Sequence, residues 1–489
     1  MLRTLPARCR RRRRPCPVAA VVAPVLAPVV AAVGLLAVAA CTGGAAPGGP
    51  TTAAVPSPAA APSPTAPPLT TPSPPEDASA SASPPGPPGS PGPPGTPGTP
   101  LPAVAPTSAP VSPPVSPPVS PPVLPGTPPS PSTTTSTTAT TCTDQLLARL
   151  SPEQRVGQLL MVGIQPGQGP GGLDATIRAQ HIGGVVYLGG WPGSGAVTAT
   201  SSHVQGQATQ AATGGVQMLV AADNEGGEVQ QLTGPGFTAM PSALSQGQSS
   251  EATIRRNGTT TGTELRRAGV NVNLAPVADT VPVEIGRANG PIGRYSREFG
   301  YDPGTVSRGV TATIQGLAAG GVAPTVKHFP GLGRISGNTD TTASGITDDT
   351  ATTNDPFLAP FADGIRAGAR LVMVSSARYP RIDAANQAVF SPAIISGLLR
   401  GTMGYGGVVI SDDVGVAAAV SSVAHGDRAV RFVAAGGDIV LTAAPSTVPV
   451  MTAALQAQSG RDAGFAQQVD ASVRRVLVLK QGMGLTGCP

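Results

Sequence analysis

Two short polar clusters, each directly after an apolar run, hold the residues of this chain best suited to chemistry. The first is Val326-Lys327-His328-Phe329-Pro330-Gly331-Leu332-Gly333-Arg334. It follows Val322, Ala323, Thr325 and Val326, which read as a buried strand stopping abruptly at a polar tip. An ammonium and an imidazole at such a tip are costly unless something polar meets them there. Gly331 and Gly333 allow a tight turn or the close approach of a ligand. The second cluster is Ser411-Asp412-Asp413, at the end of the strand-like run Gly406 to Ile410. A carboxylate fixed at a strand end can serve as a nucleophile, and the Lys and His can bind polar groups beside it. Both tips are expected to face one pocket.

The elements that must position these residues are short apolar runs. They are Leu160–Ile164, Gly184–Leu188, Met218–Ala222, Val270–Leu274, Val322–Val326, Leu371–Val374, Val408–Ile410 and Ile439–Leu441. Each is continuously apolar rather than alternating, as strands buried on both faces should be. Helix-compatible stretches separate most of them, among them Ile254 to Arg267, Thr305 to Ala319 and Gly464 to Leu479. Ser151-Pro152-Glu153-Gln154 opens the first helix with an N-cap residue and a Pro at its first position. About eight strand–helix repeats predict an α/β fold, a (β/α)₈ TIM-like barrel, with an open doubly wound sheet as the alternative. In a barrel, chemistry collects where strands end. Those ends carry Asp223-Asn224-Glu225, Asn273 to Asp279, Lys327-His328, Ser375-Ser376 and Asp412-Asp413. Trp191, at the rim after the second run, is a candidate stacking platform for a ligand ring.

Four landmarks resemble glycoside hydrolase family 3 in its single-domain bacterial β-N-acetylglucosaminidase form, across Leu146 to Lys480. Ala222-Asp223-Asn224-Glu225-Gly226-Gly227 is similar to the family's Asp-x-Glu-Gly-Gly segment. Leu274-Ala275-Pro276-Val277-Ala278-Asp279, with Ile292-Gly293-Arg294-Tyr295-Ser296, is similar to its sugar-binding loop. Lys327-His328-Phe329-Pro330-Gly331 matches the signature pentapeptide, and Ile410-Ser411-Asp412-Asp413 the nucleophile strand. The resemblance implies Asp412 as nucleophile, leaving a helix-capping role for Asp413. It also implies Asp223, Arg294, Lys327 and His328 as contacts to sugar hydroxyls. An Arg294 salt bridge to Asp223 or Glu298 is the structural alternative.

The sequence departs from that branch at one point. The loop after the pentapeptide carries an Asp-Ser-His there, whose His is the general acid/base. Here those positions are Asn338, Thr339 and Asp340. Asp340 is therefore the expected acid/base, its pKa raised by an apolar site or a neighbouring carboxylate. Asp348 or Asp349 could serve instead, or proton transfer could be lost. The first expectation is a retaining hydrolase for terminal β-linked N-acetylglucosamine on cell-wall (peptidoglycan-type) glycans. A glycan-binding lipoprotein on the same scaffold and a β-glucosidase are the alternatives. Four scattered histidines argue for neither a metal nor another cofactor.

The front of the chain gives the setting. Residues 1–40 read as a lipoprotein signal peptide: seven arginines (Arg3, Arg8, Arg10 to Arg14), an apolar stretch, then Val38-Ala39-Ala40-Cys41. Cys41 would carry the lipid and hold the protein, extracytoplasmic, at the cell membrane. Residues 41–141 are rich in Pro, Ala, Ser and Thr, too poor in large apolar side chains to fold, and read as a disordered linker. As polyproline II its about 100 residues would reach roughly 300 Å. Residues 142–489 form the folded domain. Taking the seven leader arginines from the formal net charge of +5 leaves −2, which offers no footprint for nucleic acid. Of five cysteines, Cys142 and Cys488 bracket the domain. Outside the cytoplasm they are expected to pair rather than remain free thiols. The domain is expected to be a monomer.

Overall fold

The computed structural model describes residues 141–488. The expected signal peptide, the expected lipidation at Cys41 and the expected linker before Thr141 lie outside the described residues. Among the described residues no helix is long and apolar enough to cross a membrane.

The eight apolar runs become eight strands, whose residues are all buried. They are β1 (Leu160–Ile164), β2 (Gly184–Tyr187), β3 (Leu219–Ala222), β4 (Val272–Asn273), β5 (Ala323–Phe329), β6 (Leu371–Val374), β7 (Val408–Ser411) and β8 (Val440–Thr442). Neighbours from β1 to β7 pair in parallel and in chain order. β1 then pairs with β8 (Leu160↔Val440), and the bridge Ile410↔Ile439 brings β7 to β8 and closes the ring. The fold is therefore a (β/α)₈ barrel rather than an open sheet. A helix follows each strand: α1 (Asp174–Gln180), α2 (Ser194–Gly206), α3 (Glu251–Arg267), α4 (Pro303–Ala319), α5 (Ala359–Arg366), α6 (Ala393–Thr402, wound as a π-helix), α7 (His425–Ala434) and α8 (Val448–Arg461). A terminal helix, α9 (Ala463–Gly482), completes the chain.

The expected cap at Ser151 is present as a reciprocal pair, since Ser151 and Gln154 each bond the other's backbone N–H. One strand differs from expectation. The strand expected to stop at Val326 continues through Lys327 and His328 to Phe329, with both polar residues buried. The bridge Val277↔Lys327 and the register shift against β6 mark where β5 bends inward, and the Lys327–His328 and Phe329–Pro330 peptides are cis.

α9 lies across the starts of the strands, opposite their C-terminal ends. Ser472 Oγ donates to the Gly437 carbonyl (3.0 Å), just before β8. Lys480 Nζ donates to the Gly183 carbonyl (2.8 Å), just before β2, and the Leu485 carbonyl accepts from the Gln217 N–H (3.0 Å), just before β3. The helix Cys142–Arg149 packs on α9, with Thr143 Oγ1 donating to Gln481 Oε1 (2.6 Å). A disulfide joins Cys142 to Cys488 with 5.7 Å between their Cα atoms.

Candidate active site

At the C-terminal ends of the strands lies a cavity of about 400 Å³, a volume suited to a small ligand. Asp223, Arg297, Lys327, His328, Asp340 and Asp412 all line it. Two polar networks build its floor.

The first network centres on Lys327, 2% exposed. Its ammonium contacts the Asp223 carboxylate and lies 2.7 Å from Glu225 Oε1. Glu225 also takes a two-pronged bond from Arg297, at 2.8 and 2.6 Å. Burial alone would raise the Glu225 pKa, but the Arg297 and Lys327 charges overcome it and hold Glu225 down at about 2. Burial likewise opposes the charge on Lys327, and Asp223 and Glu225 outweigh it, so the Lys327 pKa is raised. The site thus keeps two cations charged in a place where an unpaired one would be expelled.

The second network orients the imidazole. Asp279, fully buried, accepts from His328 Nδ1 at 2.7 Å and from the Leu332 N–H at 2.8 Å. A carboxylate on Nδ1 requires a proton there, which turns Nε2 toward the cavity beside Arg297 Nη2 (3.5 Å).

Opposite stand the two aspartates. Asp412 follows β7 directly, and its backbone N–H is anchored to the Val374 carbonyl of β6 (3.0 Å). Asp413 Oδ1 is occupied by the N–H groups of Gly415 (2.7 Å) and Ala443 (3.1 Å), a turn-capping role. Asp340 projects from the loop after β5. It is exposed and lines the cavity. Its carboxyl is raised to about 6, first by desolvation and then by the Asp412 charge, against the lowering effect of His328 and Arg297.

Five of the six expected site residues therefore meet in one cavity: Asp223, Lys327, His328, Asp340 and Asp412. Arg294 does not. It is exposed, lies over the Tyr295 ring at 5.9 Å and makes no salt bridge to Asp223 or Glu298. The arginine of the cavity is Arg297. Gly293–Tyr295 forms a single 3₁₀ turn, and Ser296 adopts a left-handed backbone (φ 54°). That kink carries Arg294 outward and Arg297 inward. The buried Glu298 and Phe299, 1% and 4% exposed, then anchor Arg297 in place. The alternative carboxylates are also placed elsewhere. Asp348 pairs with Arg334 and caps its own turn, and Asp349 is exposed away from the cavity. Trp191, expected as a stacking platform, is 3% exposed and packs edge-on against Tyr187, with ring centroids 4.9 Å apart. The aromatic that does line the cavity is Tyr295. Sequence reasoning missed the roles of Arg297, Glu225 and Asp279, although the last two lie inside quoted landmarks.

Residues 152–479 match the family model described as glycosyl hydrolase family 3 N-terminal domain. A β-N-acetylhexosaminidase from Beutenbergia cavernae is 47% identical in sequence and superposes with a TM-score of 0.65, over 68% of this chain and 99% of that one. A family 3 β-N-acetylglucosaminidase from a Paenibacillus species is 31% identical with a TM-score of 0.61, over 70% of this chain and 64% of that one. A β-hexosaminidase from Xanthomonas euvesicatoria is 36% identical over 249 residues, 50% of this chain and 72% of that protein.

Proposed function

The chain belongs to glycosyl hydrolase family 3 as a glycosidase of β-N-acetylhexosaminidase type, and we propose that it cleaves terminal β-linked N-acetylglucosamine with retention, through Asp412 as nucleophile and Asp340 as acid/base. In the first step Asp412 attacks the anomeric carbon while Asp340 gives its proton to the departing glycosidic oxygen. A covalent glycosyl–Asp412 ester results. Asp340, now a carboxylate, takes a proton from water, which displaces Asp412 and regenerates both groups. Asp223, Lys327, Arg297 and His328 Nε2 hold the hydroxyls of the sugar ring, and their mutual pairing fixes them before substrate arrives.

The observation that carries this reading is the position of Asp340, beside Asp412 in the same cavity with a carboxyl raised to about 6. A carboxylic acid at that value can both give and accept a proton near neutrality, which the branch's missing His would otherwise do. The first step needs protonated Asp340, so the rate of that step should fall as pH rises through about 6. Asp340→Asn should lose that limb and about 10²–10⁴-fold of its rate on substrates with poor leaving groups. A pH–rate profile of both proteins on aryl β-N-acetylglucosaminides tests this. An unchanged limb in Asp340→Asn removes Asp340 from the mechanism, and undiminished turnover in Asp412→Ala removes Asp412. Competing an aryl β-glucoside against the N-acetylglucosaminide separates the β-glucosidase alternative.

We place this activity outside the cytoplasm, on a monomer tethered by lipid at Cys41 and acting on cell-wall-type glycans. The basic, apolar and small-residue order of residues 1–40 supports the anchor. The full-length protein should partition into detergent, and Cys41→Ala should move it to the aqueous phase. Partitioning unaffected by that substitution would exclude the lipid.

A further inference from the structure

Asp340 comes from β5 and Asp412 from β7, so something must hold the Asp340 loop across the intervening β6. The loop, residues 336–346, is fastened at two places, and both lead to one hairpin after β6. That hairpin pairs Arg378–Tyr379 with Asp383–Gln387. At the outgoing end of the loop the fastening is backbone alone. The Arg378 N–H donates to the Ile346 carbonyl, and the Asp348 N–H donates to the Arg378 carbonyl, each at 2.9 Å.

At the tip the fastening is indirect. The carbonyls of Asp340 and Thr339 accept the N–H groups of Ala418 and Ala419, each at 3.0 Å. Those two alanines begin a 3₁₀ turn, Ala418–Val420, a few residues beyond Asp412. The turn is held in its own place by Gln387, the last residue of the hairpin, 3% exposed. Gln387 Nε2 donates to the Ser376 carbonyl (2.9 Å) and to the Ala419 carbonyl (2.7 Å). Because both neighbours are carbonyl oxygens, the amide nitrogen and not its oxygen must face them. Each of its two hydrogens has a partner in the wall of the barrel mouth.

We propose that Gln387 is a positioning residue for the acid/base: through the Ala418–Val420 turn it holds the loop tip so that the Asp340 carboxyl stays beside Asp412. This rests on the reading of Asp340 as the acid/base. Gln387 touches neither substrate nor either aspartate, so its effect passes entirely through the placement of Asp340. Removing it should impair proton donation and leave the nucleophile intact. Aglycones that leave without protonation need no such donation, which separates a displaced acid from a damaged fold.

Two variants test this. Gln387→Leu removes both donors at similar volume. Ala418→Pro removes only the N–H that holds Asp340. It suits the backbone, because Ala418 is the first residue of the turn and Ala417 before it is already extended (ψ 130°). Each variant should lose about 10–100-fold in kcat/KM on phenyl β-N-acetylglucosaminide and less than about threefold on the 2,4-dinitrophenyl glycoside. The pH limb assigned to Asp340 should also move to lower pH, as the carboxyl draws away from Asp412 and toward solvent. Equal losses on both glycosides, or no loss on either, would overturn the positioning role. Asp340→Asn measured in parallel separates the two claims. If it shows the leaving-group dependence and the Gln387 and Ala418 variants do not, only the positioning role fails. If Asp340→Asn lacks that dependence, the acid/base reading fails and this proposal with it.

Discussion

Arg294 and Arg297 are three residues apart, yet only one can matter to a ligand in the cavity. Arg297 is held by two bonds to Glu225 and by a third to the Pro291 carbonyl (2.9 Å), while Arg294 reaches solvent. Arg297→Ala should cost about 10–100-fold in kcat/KM, the worth of a charged hydrogen bond to substrate, and Arg294→Ala should be neutral. Steady-state kinetics on one aryl glycoside checks both, and a reversed ranking would refute the assignment. The presence in the cavity of the strand-end residues Asp223, Lys327, His328 and Asp412, and of Asp340 by its place in the loop, was readable in the sequence. Arg297 was not, because its inward direction depends on one left-handed Ser296 that no side-chain pattern announces. Nor were the pairings of His328 with Asp279 and Lys327 with Glu225, which join residues from different strand ends and exist only once the barrel closes.

At the scale of elements, the strands were legible for a simple reason. A barrel strand is covered by side chains on one face and helices on the other, so it spells an unbroken apolar word. β5 breaks that rule at Lys327 and His328, and its end was misjudged there. The close contact of α3 with α4 was also hidden: Gly258 and Gly262 lie against Gly316 and Gly320, and a Cβ on Gly316 would come within 2.4 Å of the Arg255 carbonyl. The terminal helix α9 has its own electrostatic consequence. Lys480 on it is fully buried and meets only neutral acceptors, Gln158 Oε1 (2.7 Å) and the Gly183 carbonyl. Burial lowers its pKa to about 7, against about 10.4 in the unfolded chain. The unfolded chain therefore binds more protons between those values, and stability should rise with pH across that window. Relative to Lys480→Met, the wild type should gain up to about 1.4 kcal/mol per pH unit from pH 7 toward 10. Urea unfolding of both proteins at pH 7 and 9 measures it, and parallel pH dependences would contradict a buried, partly neutral Lys480.

At the scale of the whole domain, one covalent link closes a loop of 346 residues. Cross-linking so long a loop restricts the unfolded chain, an effect of about 2–4 kcal/mol. Cys488→Ser should lower the unfolding free energy by that order in non-reducing buffer, and reduction of the wild type should have the same effect with a mass gain of two hydrogens. Identical stabilities with and without reductant would mean the bond contributes nothing.

That link also marks one pole of the barrel. Cys142 and Cys488 sit with α9 beneath the strand starts, while the sugar-sized opening lies at the far pole. Thr141, next to Cys142, therefore belongs to the base of the barrel, away from the entrance. A domain immobilised through that end would present its cavity away from the support.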